Sequence, residues 1–104
     1  MAERINGQQF ADRVLGGEGL KVVEFYSDTC IPCKRMAPIL AEVEEKYQNV
    51  FIAKINVAYE SELVQKYHVL TSPTVLFFKN GEEITRLKGI IQKKQLEEII
   101  QDYL

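Results

Sequence analysis

The sequence has no apolar run approaching the roughly 20 residues that a membrane-crossing helix requires. Its opening, MAERINGQQF, puts charges where a secretory leader would carry its apolar segment. No membrane is expected as a partner, and the cytoplasm is the expected compartment. Positive charge is not in excess either: 13 Lys and Arg stand against 15 Asp and Glu, for a net charge of -2. The basic residues are scattered, the tight pair Lys93-Lys94 reads as solvated surface, and no electrostatic footprint for nucleic acid results. One histidine and two cysteines are too few for a four-ligand zinc centre, because His68 lies far downstream of the cysteines in a segment expected at a helix end. An iron–sulfur cluster fails on the same ligand count, so no metal and no bound cofactor are expected. No repeat, low-complexity tract or Pro/Gly/Ser-rich linker divides the 104 residues, and a single domain over residues 1–104 is expected.

With 46% hydrophobic and 27% charged residues, the chain has the composition of a soluble globular protein. Folding a chain of this size buries roughly 65% of its unfolded surface, which is enough for one small core. Extended and helical patterns alternate along it. A short strand near Arg4-Ile5 precedes Asn6, a helix cap, and Phe10, Ala11, Val14 and Leu15 then recur at helical spacing until Gly16-Gly17. Leu20 to Tyr26 reads as a central strand covered on both faces, interrupted by Lys21 and Glu24. Met36, Ile39, Leu40, Val43 and Tyr47 define a second helix that starts at or just before Cys33 and is expected to kink at Pro38. A third strand over 50–57 carries one buried-looking charge, Lys54, and a helix from about Ser61 to Tyr67 follows. Strands 73–79 and 82–88 meet across Asn80-Gly81, the favoured dipeptide of a two-residue hairpin. Leu96, Ile99, Ile100, Tyr103 and Leu104 place an amphipathic helix at the end. The order βαβαβαββα predicts an α/β fold with a mixed sheet and helices on both faces. The loop after the second strand then opens at the carboxyl end of a central strand, where such sheets place their sites.

Cys30 sits in that loop, separated from Cys33 by the two residues Ile31-Pro32. A bridge between them would close almost no loop and so remove little entropy from the unfolded chain. In a cytosolic protein such a pair reads as redox chemistry. Two thiols at this spacing on a helix start can switch between dithiol and disulfide with little backbone movement. Cys30, near the cap, meets unsatisfied N–H groups and the positive end of the helix dipole, which favour a thiolate; Cys33, a turn deeper, is expected to be shielded. Cys30 is therefore the candidate nucleophile. Pro32 suits the first helical turn and stiffens the ring.

The chain resembles the thioredoxin family over essentially its whole length. The resemblance rests on VVEFYSDTCIPCKRMAP, AKINV, TSPTVLFFKNGEEI and the Lys88-Gly89 turn. It implies a thioredoxin fold, with a central mixed five-stranded sheet flanked by four helices. It implies that Cys30 is the nucleophile and Cys33 the resolving thiol of a reversible disulfide, with Ser72-Pro73 cis beside them. Substrate peptides would pair with the backbone at Thr71-Ser72, and Thr29, Ile31, Pro73 and Gly89 would complete the contact surface. Glu24 matches the family's buried acid and would accept the Cys33 proton, with Lys54 as its charge partner. The departures are also specific. The family's usual Trp-Cys-Gly-Pro-Cys is Thr29-Cys30-Ile31-Pro32-Cys33 here, and the chain has no tryptophan. Ile31 adds apolar surface beside the nucleophile, and Tyr26 stands where another tryptophan is usual, in a packing role.

A general protein-disulfide reductase is the expected function. Its implied partners are disulfide-containing target proteins and a thioredoxin reductase, flavin- or ferredoxin-dependent, and a monomer is expected. Two alternatives remain at this point: a glutaredoxin-like enzyme using glutathione, and a binding module whose redox state switches association with one partner.

Overall fold

Asn6 and Gln9 start the first helix by a reciprocal exchange. The Asn6 side chain accepts the Gln9 N–H and the Gln9 side chain accepts the Asn6 N–H, each at 2.9 Å. In the computed structural model, which describes residues 2–104, this helix lies second in the series β1 Glu3–Arg4, α1 Gly7–Gln9, a π-helical continuation Phe10–Leu15, β2 Leu20–Tyr26, α2 Ile31–Lys46, β3 Phe51–Asn56, α3 Ser61–Lys66, β4 Thr74–Lys79, β5 Glu82–Lys88 and α4 Lys93–Tyr103.

The sheet order is β1-β3-β2-β4-β5. β2 pairs in parallel with β3, and β3 in parallel with β1, whereas β4 runs antiparallel to both β2 and β5. This is the expected five-stranded mixed sheet. Asn80 and Gly81 have φ of 54° and 81°, the left-handed pair that a tight hairpin turn needs, and Lys79 faces Glu82 across it.

Each face of the sheet has its own core. One gathers Val22, Ile52, Val75 and Phe77 under Met36, Leu40 and Val43 of α2 and Leu96 and Ile100 of α4. The other gathers Val23, Phe25, Ile55 and Phe78 under Phe10 and Val14, with Leu63, Val64 and Tyr67 packed against it.

Several expectations need correction. β1 is Glu3–Arg4 rather than Arg4-Ile5, although the Ile5 N–H still donates to the Lys54 carbonyl at 2.9 Å. The first helix widens into a π-helix from Phe10, yet still buries Phe10 and Val14 together. Tyr103 and Leu104 are exposed, because α4 turns only Leu96 and Ile100 fully inward. Lys54 is half-buried rather than buried. Its strand is flanked on one side by the two-residue β1 alone, so a long side chain reaches water from there.

Candidate active site

β2 ends at Tyr26 and delivers the chain to Cys30, which caps α2 in extended conformation (φ -85°, ψ 110°). Its sulfur accepts the Cys33 N–H at 3.1 Å, in the place an Asp or Ser oxygen usually takes at a helix start. Pro32 lies in the first turn, where its missing N–H costs nothing. Cys30 and Cys33 are joined as a disulfide with Cα atoms 5.2 Å apart. Cys30 Sγ is also 3.3 Å from the Ser72 carbonyl oxygen, across 42 residues of sequence.

That contact overturns one expectation. Cys30 is not the exposed member of an unequal pair: the two residues are 8% and 5% exposed. In the disulfide, Cys30 is tucked against the loop before β4, and what distinguishes it is its capping position and the N–H aimed at its sulfur.

The loop itself takes the expected form. Ser72-Pro73 is cis, Pro73 is buried, and its carbonyl accepts the Gly89 N–H at 3.0 Å. Gly89 has φ 78°, a left-handed conformation that suits glycine. The Thr74 hydroxyl donates to the Thr71 carbonyl at 2.7 Å, holding the turn. Thr71 and Thr29 are exposed and Ser72 is half-buried. Ile31 is 63% exposed beside the disulfide.

Glu24 is 1% exposed, and neither of its carboxylate oxygens has a hydrogen-bond partner among the described residues. It alternates along β2 with Val22 and Tyr26, and so lies on the sheet face covered by α2. Burial pushes its pKa from 4.5 up to about 7, against a smaller downward pull from the Lys54 charge. Lys54 is its register partner on β3 but makes no hydrogen bond to it. The ammonium instead lies 4.8 Å from the centre of the Tyr26 ring, with the Arg4 guanidinium 5.8 Å from the same ring.

These cations border a cavity of about 290 Å³ that reaches Cys33 and is lined also by Asp28, Lys34 and Ala37. The presence of Arg4 there was not expected. The signal was the parallel pairing of Arg4 with Lys54, which a strand of two residues does not announce. His68, exposed with φ 52°, takes no part.

A disulfide closed across one helical turn, with a buried, easily protonated carboxyl on the covered face beneath that helix, defines a thiol–disulfide exchange centre on an α/β sheet. The chain matches the Thioredoxin family model over residues 2–102. It is 36% identical over 98 residues to "Probable thioredoxin-2" of Caenorhabditis elegans, covering 93% of this chain and 68% of that one. It is 31% identical over 99 residues to the thioredoxin of Buchnera aphidicola, covering 94% and 92%. A solved mutant thioredoxin from Halobacterium salinarum superposes with a TM-score of 0.90 at 27% identity, over 98% of this chain and 89% of that one. The chain belongs to the thioredoxin family, and it is a disulfide oxidoreductase with the variant Cys-Ile-Pro-Cys motif.

Proposed function

We propose that the chain is a single-domain, monomeric, cytoplasmic protein-disulfide reductase of broad target range. It is recharged by a thioredoxin reductase, flavin- or ferredoxin-dependent. In the reduced protein the Cys30 thiolate attacks one sulfur of a target disulfide. A mixed disulfide forms and the other target sulfur leaves as a thiolate, which takes a proton from solvent. Cys33 then loses its proton and attacks Cys30 Sγ. The Cys30–target bond breaks, the target leaves as a dithiol, and the Cys30–Cys33 disulfide remains. The two electrons passed to the target are restored by the reductase.

The observation that carries this reading is the Cys33 N–H donated to Cys30 Sγ at 3.1 Å, at the start of a 16-residue helix. That donor and the helix N-terminus stabilise negative charge on the first sulfur rather than the second. Glu24, with a pKa of about 7, is suited to take the Cys33 proton at neutral pH. Lys54 lowers that pKa and so sets the pH at which the carboxylate is free to accept. Pro32 and Pro73 fix the ring and the facing loop. Thr29, Ile31, Thr71, Ser72 and Gly89 form the surface met by the target, whose backbone pairs with Thr71-Ser72 as an added strand.

The test is reduction of insulin disulfides with each class of reductase, followed by mapping of limiting iodoacetamide on the reduced protein. The expected adduct is on Cys30. Preferential labelling of Cys33 reverses the two roles, and absence of insulin reduction under both reductases removes the general-reductase reading.

A further inference from the structure

On the side of α2 away from the charged cavity, a second groove of about 330 Å³ runs between α2 and the β5–α4 loop. Its walls are mainly apolar: Pro32, Met36 and Ile39 on one side, Ile90 and Ile91 on the other. Met36 and Ile91 are buried and form its floor, whereas Ile90 is 79% exposed at its lip. An isoleucine so exposed, directly after the Gly89 that bonds the Pro73 carbonyl, is not held there by packing. The groove is continuous with the redox centre through Pro32, which lies between the two cysteines.

Its charge is one-sided. Arg35 lies on the rim, exposed and making no ion pair with a described residue. Lys93, also on the rim, is held by Glu42 at 3.1 Å. Among the described residues no carboxylate lines the groove. A chain with net charge -2 thus keeps a free cation beside an apolar trough next to its reactive disulfide.

We propose that this groove is a target-docking subsite that takes an apolar side chain followed by a carboxylate, from the segment flanking the target's cysteine, with Arg35 as the residue that selects the carboxylate. The inference rests on the reductase reading of Cys30–Cys33 and gives it a substrate class: disulfides set in apolar-acidic sequence. Buried apolar surface supplies affinity, and the exposed ion pair supplies discrimination more than strength.

The test compares kcat/KM for three disulfide-linked peptides sharing a Leu beside the cysteine and differing by Glu, Gln or Lys at the next position, made in both sequence orders. The wild-type protein is expected to favour Glu over Lys about fivefold in at least one order, the size of an exposed ion pair exchanged for a like-charge contact. That ratio should collapse in about 0.5 M salt, where exposed charges are screened. Arg35→Glu should reverse the ratio. Lys94→Glu, the same charge change on an exposed residue outside the groove, should leave the preference for Glu in place. Ile90→Ser should erase the preference for the Leu peptide over its Gly counterpart. Equal rates for the Glu and Lys peptides in both orders, or an unchanged Glu preference in Arg35→Glu, overturn the subsite. Loss of the preference in Lys94→Glu equal to that in Arg35→Glu also overturns it, since selection would then follow overall charge. Insulin, the substrate that tests the reductase reading, separates the two readings. If the wild-type protein does not reduce it, the reductase reading has failed; if it does and the peptides are not distinguished, only the subsite has failed.

Discussion

The two faces of the sheet are built from the same five strands but tolerate different things. The face under α1 and α3 is wholly apolar at its centre. Phe10, Tyr67 and Phe78 meet edge to face there, with ring centres 5.4–5.6 Å apart, an arrangement that adds to the area buried. The face under α2 and α4 is as well covered, yet it contains Glu24 with no hydrogen-bond partner among the described residues. An ionised carboxylate in that position opposes folding, so the second face gives up stability where the first gains it. The cost falls on the side of the sheet covered by the helix that carries the cysteines.

The largest expected effect comes from removing the chemistry of the α2 face outright. Cys30→Ser should abolish turnover on insulin, whereas Cys33→Ser should accumulate a covalent complex with the target that reductant releases, visible on a non-reducing gel. A Cys33→Ser protein that traps nothing would break the assignment. Next in size is damage to the opposite face. Phe78→Ala should lower unfolding stability by about 3–5 kcal/mol in a denaturant titration, with iodoacetamide still labelling Cys30 first. A change in labelling order would mean that the faces are coupled.

Glu24→Leu sharpens the comparison through pH. The acid's pKa is raised in the folded chain, from 4.5 to about 7. The folded state therefore holds its proton more tightly than the unfolded state, and the penalty is absent below about pH 4.5, grows as pH rises to 7 and is complete above it. Removing the group should add about 3 kcal/mol of stability at pH 8 and little at pH 4.5, while slowing release of mixed disulfides near neutral pH. A variant destabilised at pH 8, or resolving mixed disulfides at the wild-type rate in stopped flow, would show that Glu24 is held by something other than function. The smallest effect is that of Lys54→Met. Because Lys54 lowers the Glu24 pKa, its removal should move the carboxyl titration, followed by ¹³C NMR, to higher pH. A shift to lower pH would contradict the coupling.

Much of this was legible from residue order. Asn80-Gly81 fixes a hairpin by backbone conformation alone, and the spacing of Cys30 and Cys33 on a helix start announces exchange chemistry. Glu24 was legible because it interrupts an apolar run that has nowhere polar to face. What was not legible depends on contacts distant in sequence. The burial of Cys30 follows from its approach to Ser72. The half-exposure of Lys54 and the arrival of Arg4 beside Tyr26 follow from a two-residue strand at the sheet edge. The π-helical turn was hidden for another reason, since either helix period puts Phe10 and Val14 on one side.

The edges of the sheet carry a last consequence. β1 is two residues long with both exposed, and β5 carries Glu82, Glu83, Arg86 and Lys88, with a register shift in its partner between Phe77 and Phe78. Arg86 further ties that edge to Glu83 and to the Tyr67 carbonyl. Short, charged and irregular borders are poor templates for another chain's strand. A disulfide oxidoreductase with long, regular open edges would offer other polypeptides a strand to pair with. With one border only two residues long and the other charged and out of register with its neighbour, lasting strand pairing along either edge of the sheet is disfavoured.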